Sequence, residues 1–333
     1  MKPISDVELR VIAQLDHQAS GDRQWGLETV TSQGDLLVDI SRPPEITDGV
    51  IKLHQSRLAE LNPATGRIES LSSTARPGRP TQIVGVDASS NWIVWSESAN
   101  TTLSAGAISV YSINRRSGVE RRLGIVHGIS VYPAVYERFA YVAGLVPAGG
   151  GTYRKVMYRA PVDGRGSFER FAANASQPAS TTSALYFMRE TPHAWQVRRI
   201  AAASAGASST VRAIRKPAAL MQLVADDETA AWVADLGAHR FRVEASVDAG
   251  VVQTLYTTRH QPGYPDAASA YVAFTQPGTH GYAAVAYLVQ SHRTVCLGTG
   301  AAGSGGVTGA GRFVTWTADG GGKGPQLVVA EFR

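Results

Sequence analysis

QIVGVDASSNWIVWSESANTTLSAGAISVYSINRRSGVERRL, residues 82–123, contains four short apolar runs separated by a Ser/Asn turn, a long polar loop and a turn ending in Gly118. Runs of β-branched and aromatic residues bounded by turn residues favour strands. The segment therefore predicts a four-stranded antiparallel meander. Because one meander cannot bury its own faces, we expect the unit to recur along the chain.

The second strand of this unit, WIVWSE from Trp92, has counterparts along the whole chain. They are LLVDIS from Leu36, FAYVAG from Phe139, LYFMRE from Leu185, AWVAD from Ala231, YVAFTQ from Tyr271 and FVTWTA from Phe313. Successive starts lie 40 to 56 residues apart. A period of about 40–50 residues with four strands per unit is typical of a β-propeller. The sequence thus predicts an all-β fold with seven blades.

The last repeat has only three strand-like runs, in GVTGAG, RFVTWTAD and QLVVAEFR. The segment VELRVIAQLD (7–16) is strand-like and belongs to no other repeat. Pairing this N-terminal strand with the last blade removes two exposed sheet edges, so we expect it to close the seven-bladed β-propeller. A short surface helix over 7–16 is the alternative.

The repeats divide the chain into blades of one propeller domain that spans residues 1–333. Their expected bounds are about 26–72, 82–123, 128–172, 176–213, 219–258, 263–298, and 304–333 together with 7–16. This assignment leaves no segment for a second catalytic domain.

Charge and hydropathy exclude several classes of partner. The net charge of +5 comes from 32 basic and 27 acidic residues, and no run of five like charges occurs. We therefore expect no nucleic acid partner. No signal-like apolar segment begins the chain, and no 18 consecutive residues are apolar. These features predict a cytoplasmic protein with no membrane partner.

Several motifs connect the repeat to known propellers. They are the W-S-E ending of WIVWSE, the W-T-A of FVTWTA, and the hairpins ISVYSINRRSG and LAELNPATG. On these residues the chain resembles the TolB-like and WD40-like β-propeller families. The resemblance implies the fold and leaves function open, because propellers include enzymes as well as scaffolds.

The propeller geometry that this resemblance implies assigns the loops to two faces. Loops between second and third strands, and loops between blades, share one face, which we call the top face. Seven of the eight histidines map to it: His17, His54, His127, His193, His239, His260 and His280, with His292 opposite. Titratable side chains gather at ligand sites, so this distribution indicates a functional top face. The alternative is that these loops are long and that histidine is common in loops.

The second strands end at the top face and bring further polar residues there: Arg42, Glu97, Arg189, Glu190 and Asp235. Glu97 follows Trp92 and Trp95, and apolar surroundings suit a carboxyl group to acid–base work. We therefore predict Glu97 as a catalytic acid and base. The alternative is a carboxylate that only caps a loop. Aromatic residues near the same face, which either stack on a ligand or pack between blades, are Trp25, Tyr132, Tyr136, Trp195 and Tyr264.

Size, repeat architecture and the glutamate at position 97 also resemble the propeller-type Pictet–Spengler enzymes, which form β-carboline alkaloids in secondary metabolism. This resemblance implies tryptophan, or a related aromatic amino acid, and an aldehyde as substrates, with Glu97 moving the protons and no cofactor. The expected substrate-binding residues are Arg42, His54, His127, Arg189, His193, Trp195, His239 and His260. No spacing typical of metal ligands is present, so we expect no metal.

A second hypothesis is a non-catalytic propeller that binds a protein or peptide on its top face. Lectin-like sugar binding is disfavoured, because the loops differ from blade to blade and would not form repeated pockets. The sequence leaves the oligomeric state open, including a homodimer.

Overall fold

The structure is a computed structural model that describes residues 2–3, 8–16, 22–43, 45–47, 50–52, 54–72, 80–99, 105–129, 131–201, 207–247, 251–278, 281–301, 306–319 and 325–333. Every regular element in these ranges is a strand. None of these ranges contains a helix that is long and apolar enough to cross a membrane.

The strands form seven antiparallel sheets, the blades, and the strands of each blade are named below from the inner to the outer one. Blade 1 comprises β3 (Gln24–Val30), β4 (Leu36–Ser41), β7 (Arg57–Leu61) and β8 (Ile68–Ser70). Blade 2 comprises β9 (Gln82–Ala88), β10 (Trp92–Ser98), β11 (Gly106–Asn114) and β12 (Glu120–Gly128). Blade 3 comprises β13 (Ala134–Tyr136), β14 (Phe139–Gly149), β15 (Thr152–Pro161) and β16 (Glu169–Ala173). Blade 4 comprises β17 (Ala175–Ser180), β18 (Ala184–Glu190), β19 (Ala194–Ala201) and β20 (Ser209–Arg215).

The remaining blades include both ends of the chain. Blade 5 comprises β21 (Ala219–Asp226), β22 (Thr229–Asp235), β23 (Phe241–Val247) and β24 (Val251–Thr258). Blade 6 comprises β25 (Asp266–Ala267), β26 (Tyr271–Gly278), β27 (Gly281–Leu288) and β28 (Arg293–Ala301), with β1 (Lys2–Pro3) parallel to β28. Blade 7 comprises β29 (Val307–Ala310), β30 (Phe313–Asp319), β31 (Pro325–Phe332) and β2 (Leu9–Leu15). A separate hairpin joins β5 (Glu45–Thr47) to β6 (Val50–Lys52).

The hydrophobic core is divided among the interfaces between blades. Each of the seven buried apolar clusters joins residues of two adjacent blades, and one of them joins blade 7 to blade 1. The second strands lie between these clusters, so they are apolar on both faces: every residue of β22 except Asp235 is buried. The apolar runs that repeat in the sequence are therefore the strands that pack against both neighbouring blades.

The N-terminal strand closes the ring. β2 pairs antiparallel with β31, from Leu9 opposite Phe332 to Leu15 opposite Leu327. Arg10 forms an ion pair with Glu331, and Leu9 packs in the cluster between blades 6 and 7. The predicted seven-bladed propeller, closed by the strand expected within residues 7–16, is confirmed, and the helical alternative is wrong for residues 9–15.

Bulges interrupt the pairing of four inner strands, β3, β9, β17 and β21, with the second strands of their blades. In β3, Glu28 is the extra residue between Leu27 and Thr29. A bulge bends its strand and redirects a side chain. Glu28 and the extra residues of β9 and β21 (Val84 and Met221) all line the central channel described below.

Ring closure predicts unequal effects of two truncations within β2. Leu9 is 7% exposed, whereas Val11 is 50% exposed. Leu9→Ala should lower the free energy of unfolding by about 2–5 kcal/mol, because it leaves a cavity beside Phe332. Val11→Ala should change it by less than about 1 kcal/mol. Urea denaturation measures both values, and equal values would contradict the packing of β2 against blade 6.

Candidate functional site

A channel of about 1340 Å³ runs through the centre of the ring. Residues from the inner strands of all seven blades, and from the turns beside them, line it. Three polar residues of the lining are linked electrostatically: Tyr132 and Tyr264, from the loops before blades 3 and 6, and Glu28, from β3 of blade 1. We call these three residues the upper mouth.

Short contacts hold the two tyrosines in place. The Ser96 hydroxyl donates to the carbonyl oxygen of Val131, immediately before Tyr132. Gly85 lies under Tyr132, where a Cβ atom would come within 2.9 Å of the tyrosine ring. Gly263 N donates to Thr275 O at 2.7 Å, immediately before Tyr264. Both rings nevertheless remain largely exposed, so they are available to a ligand.

Glu28 is the chemically distinctive group of the upper mouth. Burial, followed by the nearby carboxylate of Asp39, raises the pKa of Glu28 from 4.5 to about 8. The pKa of the Tyr132 hydroxyl is raised by burial first, and then by the charges of Tyr264 and Glu28, so the three groups interact across the channel. No described residue forms a hydrogen bond or ion pair with the Glu28 carboxyl group.

Three further carboxyl groups of the channel lining come from three other blades: Asp87, Asp226 and Asp266, which we call the aspartate group. Each accepts a hydrogen bond from a backbone N–H of another blade. The three donors are Val135 N to Asp87 at 2.6 Å, Gly311 N to Asp226 at 2.8 Å and Gly309 N to Asp266 at 2.8 Å. These bonds connect blade 2 to blade 3, blade 5 to blade 7, and blade 6 to blade 7.

Burial dominates the acidity of the aspartate group. It raises the pKa of Asp87 to about 6, and those of Asp226 and Asp266 to about 7, against the lowering effect of the backbone donors. The charges of Asp227 and then Asp87 further raise the pKa of Asp226, and those of Asp226 and Asp87 raise the pKa of Asp266. These carboxyl groups thus serve as inter-blade acceptors, and they change protonation state near neutral pH.

The channel is acidic although the protein as a whole is basic. Its described lining includes six carboxyl residues, Glu28, Asp87, Glu137, Asp226, Asp227 and Asp266, against two arginines, Arg115 and Arg138. One of those arginines, Arg115, is paired with Glu60 at 2.8 Å. The surface excess of arginine therefore does not extend into the channel.

Glu97, the predicted acid and base, lies outside the channel lining. It is 2% exposed and accepts hydrogen bonds from Trp95 Nε1 at 2.8 Å and Thr81 Oγ1 at 2.6 Å. In blade 5, Glu244 is bound in a comparable way by Trp232 Nε1 at 2.9 Å and by Arg212. These contacts give Glu97 a structural role, and its catalytic role stays a prediction.

Two of the predicted substrate-binding residues come together. Arg42 and His54 share a smaller cavity of about 280 Å³ at the top of blade 1, which we call the rim pocket. Its lining consists of Arg23, Ile40, Ser41, Arg42, His54, Gln55 and Arg57. Gln55 bonds to Thr81, so the rim pocket is connected through Thr81 to Glu97.

The other predicted residues are dispersed over the blades and lie outside both cavities. His193, His239 and His260 are exposed in top-face loops. His127 is not in a loop between blades as expected, because the outer strand β12 extends to Gly128. Arg189 is exposed on β18, and Trp195 packs in the cluster between blades 4 and 5 beneath Lys155. His17 and His280 lie outside the described residues.

Glu28 and the aspartate group were not predicted from the sequence. The carboxyl residues that the sequence predicted at the top face, Glu97, Glu190 and Asp235, lie at the ends of the second strands. Glu28 and the aspartate group lie on the inner strands instead. One signal was available: Asp87-Ala88 precedes Trp92 with the same spacing by which Asp266-Ala267 precedes Tyr271. Glu28 had no such signal, because its orientation depends on a bulge.

The part of the chain that the structure describes contains no group of three or more His, Cys, Asp or Glu side chains arranged to hold one metal ion. The aspartate group uses its oxygens for backbone donors instead. The carboxyl groups of the channel can bind a positive charge, and they can exchange protons near neutral pH.

Comparisons with known proteins support the fold alone. No protein-family model matches the sequence, and no curated protein matches it. A prolyl endopeptidase structure aligns with 96% of this chain at 9% identity and a TM-score of 0.60, and this chain spans about half (50%) of that one. An oligogalacturonate lyase, solved in complex with manganese, aligns with 100% of this chain and 99% of its own at 11% identity and a TM-score of 0.57.

The β-propeller domain of the Trilobed protease from Pyrococcus furiosus aligns with 87% of this chain and 99% of its own, at 8% identity and a TM-score of 0.51. That domain has an open velcro topology, whereas β2 closes the ring in this protein. At such identities the likeness carries no function. The comparisons give no evidence for Pictet–Spengler activity.

The raised pKa of Asp226 predicts a pH-dependent difference between the protein and its Asp226→Asn variant. The folded state binds the Asp226 proton more tightly than the unfolded state, so this contribution to stability is present below about pH 4 and is lost as the pH rises towards 7. Asparagine retains an acceptor for Gly311 N and does not titrate. The variant should therefore gain stability relative to the native sequence as the pH rises from about 4 to 7 in urea denaturation. A difference that does not change with pH would contradict the assignment.

Proposed function

We propose that this propeller binds a basic peptide segment at the upper mouth of its channel, in a non-catalytic role. The observation that carries the proposal is the Glu28 carboxyl group, which is held in the channel lining without a cationic or hydrogen-bonding partner among the described residues. A lysine, an arginine or an amino terminus would supply the missing charge.

Charge supports a cationic ligand. A positive charge beside Glu28 would favour its ionised form and so lower its pKa from about 8. Binding near pH 7 would then release a proton. The other five carboxyl residues of the lining extend the negative field along the channel, which attracts further positive charges of the same ligand.

Shape and aromatic content support a peptide. The channel volume of about 1340 Å³ exceeds the roughly 300–1,000 Å³ typical of sites for drug-sized ligands. Tyr132 and Tyr264 present exposed rings beside Glu28. Tyrosine contributes a large apolar surface at low entropic cost and also accepts cation–π contacts from lysine or arginine.

Glu28→Gln tests the proposal, with tetra-lysine as the probe in isothermal titration calorimetry. Loss of the charge-assisted contact should weaken binding by about tenfold or more. Titrations at pH 7 in two buffers of different ionisation enthalpy should reveal proton release with the native sequence and none with Glu28→Gln. Affinity for the native sequence should rise between about pH 6 and 9.

Glu69→Gln provides the matched control, because it removes the same charge from the exposed outer strand β8. It should bind tetra-lysine as tightly as the native sequence does. Tetra-glutamate should not bind. Stronger binding of spermine than of tetra-lysine would overturn the peptide assignment, and equal effects of Glu28→Gln and Glu69→Gln would overturn the site.

Pictet–Spengler condensation is the second candidate function. The connection from Glu97 through Thr81 and Gln55 to the rim pocket favours it, since Arg42 and His54 lie there. Incubation with tryptophan and small aldehydes, followed by mass detection, tests it. A cyclised product that is lost in Glu97→Gln would support this function. No product with any aldehyde, or an unchanged yield with Glu97→Gln, would refute it.

A further inference from the structure

The rim pocket contains an excess of positive charge. Three arginines and one histidine border a cavity of about 280 Å³: Arg23, Arg42, Arg57 and His54. Two carboxylates lie at its edge, and each is engaged: Asp22 with Arg42 Nε at 2.9 Å, and Glu45 with His54 Nε2 at 3.1 Å. The guanidinium groups of Arg23 and Arg57 have no hydrogen-bond or ion-pair partner among the described residues.

Both arginine residues are partly buried. A buried charge without a counter-charge is unfavourable, and several like charges around one cavity add mutual repulsion. Arg57 begins β7 opposite Ile40, whereas Arg23 immediately precedes β3. The blade therefore fixes the backbone positions of both arginines beside the cavity.

We propose that the rim pocket is a binding site for a small oxyanion, either phosphate or the carboxylate of a metabolite. Planar guanidinium groups match the paired oxygens of both anions and bind them through two parallel hydrogen bonds. Ser41 adds a neutral hydrogen-bonding group to the same cavity, whereas the Gln55 amide is engaged by Ser56 and Thr81. The volume lies below the range typical of drug-sized ligands, which favours a small anion.

The site is independent of the proposed peptide site. Its lining residues come from the top ends of β3, β4 and β7, and it shares none of them with the described lining of the channel. If tetra-lysine does not bind, the anion proposal still stands. If no anion binds, the peptide proposal still stands.

Calorimetric titration with inorganic phosphate and, separately, with citrate tests the proposal on the full chain. At least one anion should bind saturably. Arg57→Gln and Arg23→Gln should each weaken that binding by about tenfold or more. Arg57→Lys keeps the charge but loses the planar fork, so it should lie between Arg57→Gln and the native sequence. Tighter binding of phosphate than of citrate would identify the ligand as a phosphate, and the reverse would identify it as a carboxylate.

Arg165→Gln is the matched control. Arg165 is exposed on the hairpin between β15 and β16, and its replacement removes the same charge far from blade 1. It should leave anion affinity unchanged. The proposal is overturned if neither anion binds saturably, or if Arg165→Gln weakens binding as much as Arg57→Gln does. Should Arg57→Gln unfold, Arg23→Gln and Arg57→Lys still decide the outcome.

Discussion

Pairing of β2 with β31 is the interaction on which the rest of the structure depends. It brings β2, from near the start of the chain, and β31, from its end, into one blade and removes the edges that an open ring would expose. Seven apolar clusters then bind every blade to its two neighbours. A break between blades 7 and 1 would expose Trp25 and Val329 together. Closure is therefore a matter of core packing as well as of backbone hydrogen bonds.

A closed ring also determines the chemistry of the channel. Seven inner strands must face one axis, so polar groups from distant parts of the sequence become neighbours. Three aspartates of the channel accept hydrogen bonds from backbone N–H groups of other blades, and these bonds strengthen the ring. Glu28 has no such donor among the described residues, and burial raises its pKa to about 8. The same architecture therefore produces both structural carboxyl groups and one available to a ligand.

The fold was predictable because its signal is periodic. Second strands pack against two neighbouring blades, so they are apolar throughout and recur visibly, and the strand-like residues 7–16 had a vacant place in the last blade. The grouping of Arg42 with His54 was also predictable, since both lie at the top of blade 1. Arg23 and Arg57 were not identified, because Arg23 precedes β3 and Arg57 begins β7, and the apolar pattern of a strand does not predict the roles of residues at its ends.

The grouping of the three upper-mouth residues could not be predicted from the sequence, for a physical reason. Residues 28, 132 and 264 are separated by more than 100 positions, so no local spacing relates them. Tyr132 and Tyr264 were recognised as top-face aromatics, but the direction of Glu28 depends on a bulge, and QWGLETV contains no clear signal for one. An acid–base role was predicted for Glu97 because Trp92 and Trp95 precede it in the sequence. In the folded protein one of those tryptophans, Trp95, is its hydrogen-bond donor.

The availability of Glu28 to a cationic ligand is measured by titrating Glu28 itself, with NMR of protein labelled with carbon-13 in its glutamate carboxyl groups. Comparison with the Glu28→Gln spectrum assigns the resonance. The midpoint should lie near pH 8 in the free protein and at a lower pH with saturating tetra-lysine. A midpoint at the ordinary glutamate value of about 4.3, unchanged by the peptide, would contradict this expectation.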